Sequence, residues 1–310
     1  MEEARQRSGV SLIYLNTFTL PPRPEFIDTG RYRSAIPKLE FNAAYPLHVF
    51  VKTRLPPLEF GEITLFYGSN GSGKSTLLNV IGEKLKLKRE TAFSMNTHFE
   101  AYVQACSCTL QGRDDGSAGK IPSHSRVIAS DDIFDYLLAK RQENEIIQEK
   151  RDEVLDIPRP RVKSDSSEPW QLGSLKEYPR FKQFYEFRTW KRTKLLQKYA
   201  GERRPERSNG QTALQYFMDS IKDGGLYLLD EPENSLSPKF QLELVELLQD
   251  AARFCRCQLI IATHSPFVLS LKGARIYDLD AVRDHVKPWN ELENVRIYYD
   301  FFKKHEEAFL

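Results

Sequence analysis

Gly68-Ser69-Asn70-Gly71-Ser72-Gly73-Lys74-Ser75 fits the pattern G-x-x-x-x-G-K-[ST]. In such a stretch the glycines let consecutive backbone N–H groups curl around phosphates, the lysine reaches the terminal ones, and the hydroxyl holds Mg²⁺. The surroundings suit that role. Glu62-Ile63-Thr64-Leu65-Phe66-Tyr67 is rich in β-branched and aromatic residues, as a buried strand should be, and Thr76-Leu77-Leu78-Asn79-Val80-Ile81 opens a helix with one apolar face. Strand, loop and helix follow in the required order, and the helix N-terminus adds its partial positive charge to the cradle. Ser69, Asn70, Gly71, Ser72, Gly73, Lys74, Ser75 and Thr76 are therefore the candidate nucleotide-binding residues, with ATP as the expected ligand.

Further along, Leu226-Tyr227-Leu228-Leu229-Asp230-Glu231-Pro232 supplies the other half of a nucleotide-hydrolysing site. Asp230 ends an apolar strand and is expected at the sheet edge beside the phosphate loop, where its carboxylate and the Ser75 hydroxyl hold the Mg²⁺ shell. Successive residues at a strand end point differently, so Glu231 is free to orient and deprotonate the attacking water. A third strand end, Ile261-Ala262-Thr263-His264-Ser265-Pro266, places His264 where it can donate to a γ-phosphate and sense its presence. Lys74, Glu231 and His264 are thus the candidate catalytic groups.

The bulk properties narrow the class. The chain has 310 residues and a formal net charge of +2, too near neutral for a global electrostatic case for nucleic acid or membrane. There is no run of eighteen apolar residues, and the charged start from Met1 to Gly9 lacks an apolar core, so neither a membrane span nor a secretory signal is expected and the protein reads as cytoplasmic. The four cysteines form two C-x-C pairs, Cys106/Cys108 and Cys255/Cys257. That is not the usual C-x₂₋₄-C metal spacing, so ordinary reduced thiols are the simpler reading and a shared zinc site the rarer one.

Elsewhere, residues 11–19 read as a half-buried strand, Leu47–Val51 as a second one, and 111–125 as an exposed loop leading into a strand at 126–129. Helical patterns run from Asp132 to about Leu155 and from about Lys176 to Ala200; then come strand 226–229, helix 238–255, strand 258–262, helix 266–271 and strand 275–279. Strands recurring between helices predict an α/β fold: one domain over residues 1–310 with a mainly parallel sheet, N-terminal antiparallel strands, ligand loops at the strands' carboxyl ends, and a helical insertion at 133–207.

These ordered motifs resemble the ABC-type ATPases, in the soluble, SMC-like and AAA-annotated branch rather than the transporters, over about residues 45–131 and 207–280. The resemblance implies that Ser208-Asn209-Gly210-Gln211 is the signature loop, with Ser208, Gly210 and Gln211 contacting the γ-phosphate of ATP bound to an opposite protomer in a head-to-tail homodimer. It makes Asn234-Ser235-Leu236-Ser237-Pro238 the D-loop, places Glu231 on the general base and His264 on the switch histidine. The signature departs from the transporter Leu-Ser-Gly-Gly-Gln, and the expected strand end carries Ser130-Asp131-Asp132 in place of a Q-loop glutamine. Asp131 or Asp132 is the expected substitute facing the metal, with Gln104 and Gln111 as weaker alternatives. Tyr45 and Tyr32 are candidates for stacking on adenine.

Lys176–Arg207 carries eleven basic residues against four acidic ones, interleaved with Tyr178, Phe181, Phe184, Tyr185, Phe187, Trp190 and Tyr199. A core-facing aromatic stripe with a solvated basic face explains this most simply, and a nucleic-acid surface is the alternative. The insertion is too short for a long coiled coil, so it suits a docking arm for a partner protein. The chain is also similar to ATPase subunits of bacterial anti-phage systems such as Septu, which work beside a nuclease. The leading expectation is an ATP-driven dimerising switch that regulates a nuclease or nucleic acid in defence or DNA maintenance. A stand-alone DNA- or RNA-binding clamp of the repair type, a transporter's nucleotide-binding subunit and a small-molecule kinase are the rivals.

Overall fold

The computed structural model describes residues 13–21, 45–50, 55–93, 95, 97–112, 119–156, 176, 178–201 and 208–310. They form two compact units: one combines Met1–Phe134 with Ser208–Leu310, and the other is Asp135–Arg207.

Among the described residues the strands are β1 (Leu15–Thr19), β2 (Leu58–Glu59), β3 (Ile63–Tyr67), β4 (Ser107–Leu110), β5 (Arg126–Ile128), β6 (Leu226–Asp230), β7 (Gln258–Ala262) and β8 (Arg275–Asp278). Five make a parallel sheet in the order β5-β6-β7-β3-β8, as the recurring strand–helix pattern predicts. The three central strands, LYLLD, QLIIA and ITLFY, are near-continuous buried runs because helices cover both faces of a parallel sheet. A smaller antiparallel sheet, β2-β1-β4, carries the N-terminal strand.

A side chain joins the two sheets. Gln258, fully buried at the start of β7, accepts from the backbone N–H of Tyr14 and of Leu15 through Oε1, both at 2.9 Å. Its Nε2 donates to the Leu15 carbonyl at 2.9 Å and the Gly61 carbonyl at 3.0 Å. Around this joint Leu15, Phe18, Leu58, Phe66, Leu77, Leu78, Ile81 and Phe99 form one hydrophobic core.

Two expectations need correction. Leu47–Val51 was expected as a strand, but Leu47–Phe50 is a short helix. Its β-branched and aromatic residues meet helical neighbours: Phe50 stacks on Tyr102 with ring centroids 5.9 Å apart, so packing overrides β propensity. The second helical stretch, expected from about Lys176 to Ala200, is divided into two helices, Tyr178–Thr189 and Arg192–Tyr199. Lys191 between them takes an extended conformation, and Lys194 and Lys198 lie over the Trp190 ring at 4.0 and 4.9 Å. The aromatic stripe also divides. Phe187 is buried and packs on Tyr199 (5.4 Å), Tyr178 and Tyr185 are exposed, and the side chains of Phe181 and Phe184 lie outside the described residues.

Candidate functional site

Because β7 lies between β3 and β6, the loops after all three strands open side by side at the carboxyl edge of the sheet. The phosphate loop follows β3 and leads into the helix Lys74–Lys84, with Gly73 at its N-cap. Gly73 has φ 97°, and a Cβ there would lie 2.4 Å from Val49 Cγ1, so both backbone and space demand glycine. Inside the loop Ser72 Oγ is buried without a partner among the described residues. An orphaned donor next to Gly71, where a Cβ would meet nothing within 4 Å, is what a phosphate cradle requires, so the residues fit an ATP triphosphate.

Lys74 is buried and folds over its own loop, donating from Nζ to the carbonyls of Gly68 (3.0 Å) and Ser69 (3.2 Å). The same Nζ lies 2.5 Å from His264 Nε2 and 4.0 Å from Glu231 Oε1. Burial lowers the Lys74 pKa below the ordinary lysine value, opposed by the nearby Glu231 and Asp230 charges. His264 Nε2 is also 3.4 Å from Glu231 Oε1. One ring nitrogen cannot serve both neighbours at once: without a hydrogen Nε2 accepts from Lys74, and carrying one it donates to Glu231.

Glu231 follows β6 with φ 46°, a left-handed backbone at the strand end. Asn234 Nδ2 donates to Glu231 Oε2 at 3.0 Å. His264, then Asn234, against the opposing effect of burial, hold the Glu231 carboxyl down at about 2. Asp230 behaves in the opposite way. Burial pushes it up to about 6 despite the hydrogen bond it accepts from Ser75 Oγ at 3.0 Å. Ser75 and Asp230 together are an oxygen pair of the kind that holds the hydrated Mg²⁺ of a phosphoryl-transfer site.

The other expected site residues fall as follows. Ser208 caps the helix Asn209–Ser220, its Oγ accepting from the Gln211 N–H while Gln211 Oε1 accepts from the Ser208 N–H. The expected signature loop is therefore a capping box and the first helical turn. Gly210 in that turn is buried, and a Cβ there would lie 2.1 Å from Phe240 Cδ2. We expect Gly210→Ala to cost about 1–3 kcal/mol by overpacking. Thermal melts should show the loss, with a second change, Phe240→Leu, recovering most of it. Asp131 is exposed in the first turn of the helix Ser130–Asp156, whereas Asp132 is buried and accepts from the backbone N–H groups of Thr91 (2.9 Å) and Ala129 (2.7 Å). Those bonds give Asp132 a structural task. Gln111 accepts from the Ile13 N–H at 3.1 Å beside the antiparallel sheet, and Gln104 is exposed. Tyr45 stacks on Phe99 at 5.6 Å, and Tyr32 lies outside the described residues. Burial raises the Cys257 thiol above its ordinary pKa and pushes Cys106 up to about 12, so both sulfurs are kept as thiols.

Four side chains escaped the sequence reading. Asn234 was expected only as the first residue of the D-loop, with no contact of its own, and Glu233, between that stretch and Pro232, was not singled out. Asp280, just after β8, accepts from the Ser69 N–H at 2.5 Å and from Ser69 Oγ at 3.0 Å, tethering the phosphate loop; its position at a strand's carboxyl end was the available signal. Asn294, in the helix Glu293–Lys304, donates from Nδ2 to the His264 carbonyl at 3.0 Å, and nothing local marks it.

Residues 117–270, just under half of the chain, match the family model described as "AAA domain, putative AbiEii toxin, Type IV TA system". The matched segment holds Asp230, Glu231 and His264, and the phosphate loop precedes it. With that loop, it marks an ATPase-type nucleotide-binding domain. No curated protein matches the chain. Among solved structures, the chain is similar to a dimeric ATP-binding cassette in a post-hydrolysis state bound to ADP and Pi, at 15% identity, 76% coverage of this chain, 90% of that chain and a TM-score of 0.34. It is also similar to a nucleotide-free ATP-binding cassette from an ABC transporter, at 17% identity, 78% and 90% coverage and a TM-score of 0.33. No helix among the described residues is long and apolar enough to cross a membrane.

Proposed function

We propose that this chain is a Mg²⁺-dependent ATP-binding and ATP-hydrolysing switch that dimerises head-to-tail on ATP and regulates a partner, a nuclease or a nucleic acid. One observation carries the reading: Lys74, Glu231 and His264, from three neighbouring strand ends, converge within 4.0 Å of one another, with the Ser75–Asp230 pair beside them.

In this reading Ser69–Thr76 hold the phosphates through their N–H groups, Lys74 and the orphaned Ser72 hydroxyl. Mg²⁺ held through Ser75 and Asp230 would offset phosphate charge. A carboxylate held near 2 by cationic and hydrogen-bonding neighbours is a feeble base, so Glu231 in the present arrangement orients water more readily than it deprotonates it. Lys74 and His264, on turning to the phosphates, leave Glu231 and so strengthen it as an acceptor. Base strength thus becomes tied to a filled cradle, which suits a slow switch.

The dimer follows from the resemblance of Ser208–Gln211 to a signature loop, and the helices of the insertion at 133–207 serve as the docking arm. Size-exclusion chromatography with light scattering tests it on the 36.0 kDa chain. Glu231→Gln with Mg²⁺-ATP should give twice the monomer mass and revert to monomer with ADP; a monomer in ATP would refute the composite site.

A nucleic-acid clamp is the second reading, favoured by Lys191, Arg192 and Lys194, which are exposed together. If it holds, the wild type should bind single- or double-stranded DNA with an affinity that falls as salt rises, and changing the three residues to Ala should lower the slope of log affinity against log salt by up to about 3. Absence of binding at low salt would eliminate it.

A further inference from the structure

The loop that carries His264 is held by a carboxylate that the hydrolytic scheme above does not use. Glu233 is buried, and its Oε1 accepts from Thr263 Oγ1 (2.5 Å), the His264 N–H (2.9 Å) and the Ser265 N–H (3.0 Å). Three donors converging on one oxygen are a strong reason for a charge to stay buried, because each bond to an ionised acceptor is stronger than its neutral counterpart. Glu233 Oε2 is buried without a partner among the described residues, so the grip on this loop runs through a single oxygen.

The same turn holds the other half of the pair. Asn234, the next residue, binds the Glu231 carboxylate, and its N–H donates to the Glu231 carbonyl at 3.0 Å. One short segment, Glu231–Asn234, therefore fixes both Glu231 and the loop bearing His264. A second tie runs alongside: Ser265 Oγ donates to Gln241 Oε1 at 2.7 Å, and Gln241 Nε2 donates to the Leu236 carbonyl at 2.9 Å. On the far side Asn294 holds the His264 carbonyl independently, so loss of Glu233 would misplace the loop rather than release it.

We propose that Glu233 is a positioning residue for ATP hydrolysis, setting the spacing between His264 and Glu231 by clamping residues 263–265 to the turn after β6. The proposal rests on the ATP-hydrolysis reading. It requires Glu233 to act through His264, which a residue that merely stabilises the fold would not do.

The test is a double-mutant cycle on the full-length chain, with kcat and KM for ATP measured for wild type, E233Q, H264A and E233Q/H264A. E233Q keeps shape and one acceptor oxygen but loses the charge. We expect its kcat to fall by about tenfold with KM within about twofold, and the further effect of E233Q in the H264A background to shrink to less than about twofold. Thr263→Val, which removes one donor to the same oxygen without touching the carboxylate, should give a smaller loss of the same kind. Hydrogen exchange of the ATP-free chain should quicken over 263–266 in E233Q and stay unchanged over 68–75.

A wild type that hydrolyses ATP while E233Q matches it, or while E233Q costs as much with His264 absent as present, would overturn this proposal alone. A wild type that binds ATP without hydrolysing it would overturn the reading beneath it as well.

Discussion

Glu231→Gln should reduce ATP hydrolysis by about 10²- to 10⁴-fold, the range for removing a positioned acid–base group, while ATP affinity changes little. The asymmetry follows from where the carboxylate sits. Glu231 Oε1 faces His264 and Lys74, and Oε2 is held by Asn234, so the group belongs to the strand end facing the cradle rather than to the cradle itself. Gln keeps the Oε1 acceptor and the left-handed backbone at φ 46° is unaltered, so folding should survive. Lys74→Ala should behave differently. Lys74 Nζ reaches the carbonyls of Gly68 and Ser69 as well as His264, so its removal empties the middle of the cluster. Losing one charge-assisted contact to phosphate should weaken ATP binding by about 10- to 100-fold, with hydrolysis lost in step. Steady-state phosphate release and equilibrium binding of a fluorescent ATP analogue separate the two outcomes. If both variants kept wild-type binding and turnover, the proposed function would be wrong.

The largest stability effect is expected far from that chemistry. Gln258→Met keeps the length of the side chain but removes an acceptor for the Tyr14 and Leu15 N–H groups and a donor for the Leu15 and Gly61 carbonyls. Each unmet buried group costs about 1–3 kcal/mol, and the two N–H groups dominate because carbonyls tolerate a missing partner better, so a loss of about 4 kcal/mol is expected. That corresponds to a fall in apparent Tm of roughly 10 °C. Gln258 begins β7 and His264 follows its end, so the joint and the site lie at opposite ends of the strand, roughly 13 Å or more apart at about 3.3 Å per residue. Below the transition ATP affinity should therefore match the wild type. Differential scanning calorimetry and a binding titration at low temperature check the two halves; an unchanged Tm would mean that the small sheet is not tied to the large one through this side chain.

Legibility differed by element. The strand at 258–262 was readable to the residue, because a strand buried on both faces writes itself as a near-continuous apolar run, here Leu259–Ala262 after Gln258. The Gly68–Ser75 pattern was readable because a phosphate cradle needs consecutive residues. The helix Asn209–Ser220 shows in the sequence only as a signature-like first turn, because the residues of that pattern, Ser208 and Gln211, are also its capping pair. The short helix Leu47–Phe50 was misread because four residues carry too little periodicity to outweigh β-branched composition. The helix Glu293–Lys304 was not read, although Val295, Tyr298, Tyr299 and Phe302 recur at helical spacing; of these only Val295 is buried, so the face is written in the sequence while the packing that uses it is not.

By itself the sequence determined which residue types stand at each strand end: a glycine-rich loop with Lys74 and Ser75, the Asp230–Glu231 pair, and His264. Each is a local pattern, and local patterns survive in one dimension. Only the tertiary structure decided that β7 runs between β3 and β6, which brings His264 between Lys74 and Glu231. It alone decided that Gln258 serves backbone groups more than 190 residues away and that Glu233 grips a loop thirty residues on. Strand order and buried hydrogen bonds are settled by which distant segments share a core, and the intervening chain carries no record of that choice.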